Sequence, residues 1–236
     1  MGPIDGLYPY EVVLLILGVL LFLVLLAVLV IQIVRGKPYA ALLPFFVVTI
    51  AMIGFPGIQE IQWQKGVITI KTATTQLQAD PTNATLRSNL ANRVKSLADR
   101  PTSNPSALTS IARAQFALGK NDDAKTNLSK ALRISPALPE AVTLKQRIDT
   151  DDALANLTKR LAQNPQDGDA KTQLAKTVAQ TESLKISSPV FLSHVAKAKA
   201  ILGDRAGASH VAATALKIDP NTAEANEMKR LAANQQ

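Results

Sequence analysis

The sequence predicts an all-α protein: a two-helix transmembrane hairpin followed by an α-solenoid of stacked helix pairs. Three observations carry this. The first sixty residues hold two long apolar runs and only five charged groups, Asp5, Glu11, Arg35, Lys37 and Glu60. The rest is rich in Ala, Leu, Lys, Asn, Gln and Thr with punctuating Pro, and strand-like alternation is confined to a stretch at Val67 to Ile70. A segment of 34 residues occurs twice, with its apolar positions at helical spacing.

Composition separates the two parts. The chain's 236 residues carry a net charge of +8, of which residues 1–60 contribute −1 and the remainder +9. Eight of the ten aromatics lie in the first 63 residues, and only Phe116 and Phe191 follow. One soluble globule does not have two compositions. The lack of Cys excludes disulfides, zinc-thiolate sites, iron–sulfur clusters and cysteine nucleophiles.

The membrane anchor is read as residues 1–60. Val12 to Val34 contains no charge, and at ~1.5 Å per residue about 20 residues cross a hydrocarbon core. A second apolar run, Ala40 to Ile58, follows the turn Arg35-Gly36-Lys37-Pro38-Tyr39. Its Pro44, Gly54 and Pro56 suit a membrane helix better than a soluble one. A signal peptide is disfavoured because no Lys or Arg precedes Arg35. Tyr8, Tyr10, Tyr39 and Trp63 mark the interfaces. Arg35 and Lys37 place the turn in the cytoplasm and both termini outside, although Lys65 and Lys71 pull the other way. The expected location is the bacterial inner (cytoplasmic) membrane, multi-pass, with the C-terminal domain periplasmic or otherwise extracytoplasmic. Neither span holds a GxxxG pattern or a charged residue, which argues against tight dimerisation and against an ion path. Residues 59–66 are short, so the second domain is expected to leave the membrane almost directly.

Residues 67–236 form the second domain. Residues 105–138 and 189–222 align without gaps, matching Leu108 with Leu192, Ile111 with Val195, Ala112 with Ala196, Gly119 with Gly203, Ala124 with Ala208, Ala131 with Ala215 and Pro136 with Pro220. Leu108/Ile111/Ala112/Gln115 and Leu192/Val195/Ala196/Lys199 share a face of a first helix. Gly119 and Gly203 end it where φ > 0 is needed. Ala124/Leu128/Ala131 and Ala208/Ala212/Ala215 let a second helix approach closely, and Pro136 and Pro220 stop it. Leu77–Pro81, Leu97–Pro101 and Leu161–Pro165 look like further helix ends. Residues 84–98, 138–149, 152–163 and 169–181 each support an amphipathic helix, with the helix order in 139–188 left open. Residues 221–233 read as a capping helix with Asn221 or Thr222 as N-cap.

Chemistry is sparse. His194 and His210 are read as surface polar groups. Asp149, Asp151 and Asp152 resemble a helix N-cap rather than a calcium loop, and Asp122-Asp123 open a second helix. No GxxxxGK[ST], GxSxG or HExxH occurs. No catalytic residue, cofactor site or metal site is predicted, and the chain is not expected to be an enzyme. Basic residues are spread and stacking aromatics scarce, so no nucleic acid is expected as a partner. Arg87, Arg93, Lys95 and Arg100 suit anionic headgroups if they lie near a lipid bilayer.

The 34-residue unit resembles the tetratricopeptide repeat (TPR) family, with Leu108, Leu192, Gln115 and Lys199 standing where that family usually places larger groups. The resemblance implies a concave face that binds protein or peptide partners. In this chain that face would comprise Ser106, Thr109, Arg113, Phe116 and Ala117, then Val190, Ser193, Lys197, Ala200 and Ile201. Thr109 and Ser193 do not match the family's carboxylate clamp, while Arg113 and Lys197 are placed to meet an acidic segment. The architecture is similar to the membrane-tethered TPR assembly factors of cytochrome c maturation, though the turn after Val34 is shorter than theirs. The expected function is a membrane-anchored scaffold or assembly factor. The alternative is a structural accessory subunit of a larger membrane complex, and an enzyme or transporter is the remaining reading.

Overall fold

The computed structural model describes residues 8–35, 38, 42–222 and 224–233. Tyr39, Gly36 and Lys37 of the proposed turn, Asp5, and the first two residues of the second apolar run lie outside the described residues. The chain is all-α: among the described residues there is no strand, and Val67 to Ile70 is helical. It divides into two units, Met1–Ile68 with Asp99–Asn104, and Thr69–Ala98 with Pro105–Gln236.

The first unit contains α1, Pro9–Val34, and most of α2, Leu43–Ala79. α1 starts at Pro9 because a proline there wastes no hydrogen bond, and Glu11 Oε2 accepts the Tyr8 backbone N–H at 2.8 Å. Its 26 residues span about 39 Å. It has a mean hydropathy of 3.6 over its most apolar window, of which only 11% is buried. α1 is therefore long and apolar enough to cross a membrane. Its buried positions are Glu11, Gly18 and Leu25, one every seven residues, so a single stripe is covered while Val13, Leu17, Leu20 and Val24 stay exposed.

That stripe meets α2. A Cβ on Gly18 would lie 3.0 Å from Ile53 Cγ1 and 3.2 Å from Met52 Cβ, so any larger residue would have to push α2 aside by a few tenths of an ångström. Phe22 and Phe46 meet edge to face, with ring centroids 5.7 Å apart. The pairings 18 with 53 and 22 with 46 are those of antiparallel helices. The apolar part of α2, Leu43–Phe55, is shorter than α1, and the helix then runs on without a break past Trp63 to Ala79. Residues 59–66 are thus helix rather than a separate connector, and Trp63 is buried there. Arg100 closes the unit. Its Nη2 lies 3.3 Å from Glu11 Oε2, both side chains are buried, and the guanidinium sits 5.6 Å from the centre of the Tyr8 ring.

The second unit is built from the end of α2 and the helices α3 (Ala84–Ala98), α4 (Pro105–Ala117), α5 (Asn121–Ile134), α6 (Pro139–Gln163), α7 (Gly168–Thr181), α8 (Pro189–Ile201), α9 (Arg205–Ile218) and α10 (Ala225–Ala233). The two repeat copies fold alike. Gly119 has φ +82° and Gly203 φ +90°. Lys120 N–H reaches Gln115 O at 2.8 Å, and Asp204 N–H reaches Lys199 O at 2.9 Å, the same 6→1 helix-end bond 84 residues apart. Ala124, Leu128 and Ala131, like Ala208, Ala212 and Ala215, are buried against the preceding helix. α5 and α9 each stop two residues before their proline.

Two expectations change. Residues 139–163 form one helix, not two, because Ala141, Leu144, Ile148, Asp151, Leu154 and Leu161 keep one buried stripe throughout. Asp149, Asp151 and Asp152 are therefore mid-helix and cap nothing. α10 begins at Ala225, downstream of Asn221 and Thr222.

Candidate binding groove

Apolar side chains of α4 to α8 form the main core of the second unit, and one side of it, between α4, α6 and α8, opens into a groove. Phe116 on α4 and Phe191 on α8 form the floor with ring centroids 5.8 Å apart, joined by Leu144 on α6. These are the two aromatics the sequence places after residue 63, brought together from 75 positions apart. Leu184, Ile186, Ser187 and Ser188 form one wall. Gln78 near the end of α2, Arg113 on α4 and Arg147 on α6 ring the mouth, a shallow cavity of about 240 Å³. That is smaller than the roughly 300–1,000 Å³ of a site that encloses a small ligand.

Local rules place these groups. Arg113 and Phe116 are three residues apart on α4, as Leu144 and Arg147 are on α6, so each helix offers one cation above one apolar group. The wall at residues 184–188 is held by Arg87, whose Nη2 donates to Ser187 O at 2.9 Å and Nη1 to Ala117 O at 3.4 Å. Burial lowers the Arg87 pKa, which Asp219 partly opposes. Ser188 then starts α8, its Oγ accepting the Phe191 N–H at 3.3 Å.

Arg147 is half-buried. Burial, and then the positive charge of Arg113, push its pKa down from the usual arginine value. Among the described residues no carboxylate offsets either guanidinium.

The ten sequence-derived face residues do not form one site. Arg113, Phe116 and Ala117 line the groove. Thr109 and Ser193 are buried and donate to the carbonyls of Pro105 and Pro189 at 2.7 and 2.9 Å, so neither is open to a ligand. Val190 packs against the turn at Gly119. Ser106 and Ile201 are exposed but line no part of the groove. Lys197 lies 2.8 Å from both Glu224 and Glu227, so its acidic partner is the chain's own C-terminal segment. Sequence reasoning missed Arg147, Gln78 and the 184–188 wall. Arg147 was detectable as a cation on the half-buried edge of the amphipathic stretch 138–149.

A polar knot lies beside the groove. Asp151 is fully buried, and its carboxylate accepts Asn121 Nδ2 at 2.6 Å and lies 2.6 Å from His194 Nδ1. His194 Nε2 is 3.7 Å from Glu224. Burial opposes charging of His194, but Asp151 and Glu224 outweigh it and raise its pKa. His194 is thus a structural partner rather than the surface group the sequence suggested. Arg87 and Arg100 are likewise occupied inside the protein rather than presented to lipid, while Arg93 and Lys95 are exposed. Among the described residues no group of three or more His, Asp or Glu side chains is arranged to hold a metal.

Compared with known proteins, the chain matches no family, no curated protein and no solved structure. The functional reading therefore comes from the apolar helix and the groove.

Proposed function

We propose that this chain is a membrane-anchored, TPR-like scaffold that seats a segment of a partner polypeptide in the groove between α4, α6 and the 184–188 wall. The observation that carries the reading is the groove itself: an aromatic floor beneath two guanidinium groups that the fold leaves without a counter-charge. The two repeat copies, each with a left-handed glycine at its inner turn and a proline after its second helix, support the TPR-like solenoid. The exposed apolar surface of α1 supports membrane insertion, because its most apolar window, of mean hydropathy 3.6, is only 11% buried and would be costly to leave in water. The antiparallel packing of α1 and α2 at Gly18 supports a two-helix hairpin.

In this reading the hairpin sits in a bacterial inner membrane with the second unit in the periplasm. An assembly role, such as presenting a client chain during cytochrome c biogenesis, fits a non-catalytic seat of this kind. Two measurements test it. In intact cells an impermeant maleimide should label a cysteine placed at Ser135 and not one at Gly36, and the reverse pattern inverts the topology. A photo-crosslinking residue at Thr143, on the groove mouth, should capture a polypeptide that one at Ser129 does not. Equal capture at both positions rejects the groove as the seat.

A further inference from the structure

A helix that begins on a carboxylate and then enters lipid needs that charge answered. Glu11 directly precedes the charge-free run from Val12 to Val34, and its side chain is only 1% exposed. A buried carboxylate without a partner is costly, and more so at the edge of a hydrocarbon layer. Here the partner comes from 89 residues further along the chain. The Arg100 guanidinium lies 3.3 Å from Glu11 Oε2 and 5.6 Å from the centre of the Tyr8 ring. Tyr8 in turn stacks on Tyr10, with ring centroids 5.5 Å apart. Arg100 is carried by Asp99–Asn104, the irregular stretch between α3 and α4, which belongs to the same unit as α1.

The depth of this contact follows from α1. The charge-free run is about 35 Å long, against a hydrocarbon core of about 30 Å. Glu11 therefore falls at the edge of the core, where a headgroup layer about 5–8 Å deep begins. Tyr8 and Tyr10 stand at that level, which phenol rings prefer. On α2, the antiparallel register that sets Ile53 against Gly18 brings Trp63 level with Tyr8. Asp99–Asn104 cannot lie deeper, because an irregular backbone exposed to lipid tails leaves its amides unpaired. Burial alternates along the loop. Arg100 is buried and Thr102 and Asn104 are partly buried, while Asp99, Pro101 and Ser103 are exposed. One edge is thus fastened to the anchor, and the other is small, polar and open.

We infer that Asp99–Asn104 is a further membrane contact of this chain, lying in the phospholipid headgroup layer at the end of the hairpin where α1 begins, with Asp99, Pro101 and Ser103 turned to the headgroups. The surface it fits is zwitterionic. The loop carries one acid and one base, and the base is turned inward to Glu11, so its open edge offers no cation to an anionic lipid. This assignment rests on the hairpin spanning the bilayer, and it adds a place where the chain returns to the same leaflet. Arg100 is a positioning residue, which holds the loop to Glu11 and Tyr8.

The test uses the full chain, which has no native Cys, in phosphatidylcholine nanodiscs. Single cysteines, Leu20→Cys on the exposed side of α1 and Pro101→Cys on the loop, carry a bimane label. Its quenching is compared between lipid with a nitroxide on the headgroup and lipid with one deep in the acyl chain. The Leu20 label should be quenched at least twofold more by the deep nitroxide, and the Pro101 label at least twofold more by the headgroup nitroxide. Adding phosphatidylglycerol should not increase quenching at Pro101. Arg100→Ala should reduce headgroup quenching at Pro101 at least twofold and leave Leu20 unchanged, with an unaltered far-UV circular dichroism spectrum. Glu11→Gln, which keeps the shape and removes the charge, should act in the same direction, and Lys130→Ala on exposed α5 should change neither label. Absence of headgroup quenching at Pro101 while Leu20 reports the deep nitroxide overturns the loop contact and leaves the hairpin standing. A Leu20 label that the deep nitroxide does not quench overturns both. Quenching at Pro101 that appears only with phosphatidylglycerol overturns the zwitterionic assignment. Full headgroup quenching in both Arg100→Ala and Glu11→Gln overturns the ion pair as the fastening.

Discussion

Replacing Asp151 with alanine tests the polar knot most directly. The carboxylate is 1% exposed and joins three helices through Asn121 at the start of α5, itself on α6, and His194 on α8. Its loss removes two hydrogen bonds to a charged group, each worth about 1.5–3 kcal/mol, and leaves two inward polar groups without their acceptor. Breaking a buried pair from one side costs about 3–5 kcal/mol, which is the expected destabilisation. Asp152→Ala is the control. Its neighbouring carboxylate pairs with Lys125 where both side chains are about 40% exposed, so it should cost at most about 1 kcal/mol. Urea unfolding of the full chain in detergent, followed by far-UV circular dichroism, gives both values. The same knot predicts a pH dependence. The folded state raises the His194 pKa, so the stabilisation is complete below the unfolded value, about 6.5. It is lost as pH rises through the higher folded value. Stability of the unmodified chain should therefore decline from pH 6.5 upward, and that part of the slope should vanish in Asp151→Ala. The reasoning is refuted if the Asp151 and Asp152 variants lose equal stability, or if the slope survives without the carboxylate.

The helix turns and the hairpin give further tests. Gly119→Ala and Gly203→Ala each force an alanine into the left-handed region and should cost about 1–2 kcal/mol in the same urea assay. Gly119→Ala should cost more, because its Cβ would lie 3.1 Å from Val190 Cγ2 while the space at Gly203 is open. Gly18→Val should separate α1 from α2, reducing oxidative cross-linking between cysteines placed at Phe22 and Phe46 at least threefold, whereas Gly54→Ala, with nothing within 4 Å, should leave it unchanged. At Arg160, substitution by Ala should change stability by less than about 1 kcal/mol, since that side chain is half exposed and the Asp167 cap keeps its bond to the Ala170 N–H.

Helix ends were legible because their chemistry is local. Gly119, Gly203, Pro136 and Pro220 act through their own backbone, so spacing alone located two helix pairs. The apolar stretch at Val12 to Val34 was legible for the same reason, since hydropathy needs no partner. The acidic cluster was misread because its meaning comes from Asn121 and Lys125, 30 and 27 residues earlier, and from His194, 43 residues later. Without those contacts, Asp149 to Asp152 resembles a helix start. The groove was half legible. Arg113 and Phe116 follow from one helix face, but Arg147, Gln78 and the 184–188 wall arrive through separate elements whose packing no local pattern encodes. Thr109 and Ser193 looked available because a hydroxyl on a helix face usually meets water, yet each turns back to the carbonyl four residues earlier. Gly18 carried no motif, and its role appears only against Ile53.

The chain's single indole, Trp63, and its phenols at positions 8, 10 and 39 all precede the second unit, whose rings are phenylalanines alone. Light absorbed near 280 nm and the emission that follows it therefore report on the hairpin and are blind to the groove. Ellipticity near 222 nm sums the helices of both units. Overlaying the two optical signals during denaturation will separate cooperative melting of the whole chain from sequential loss of its parts without any introduced dye.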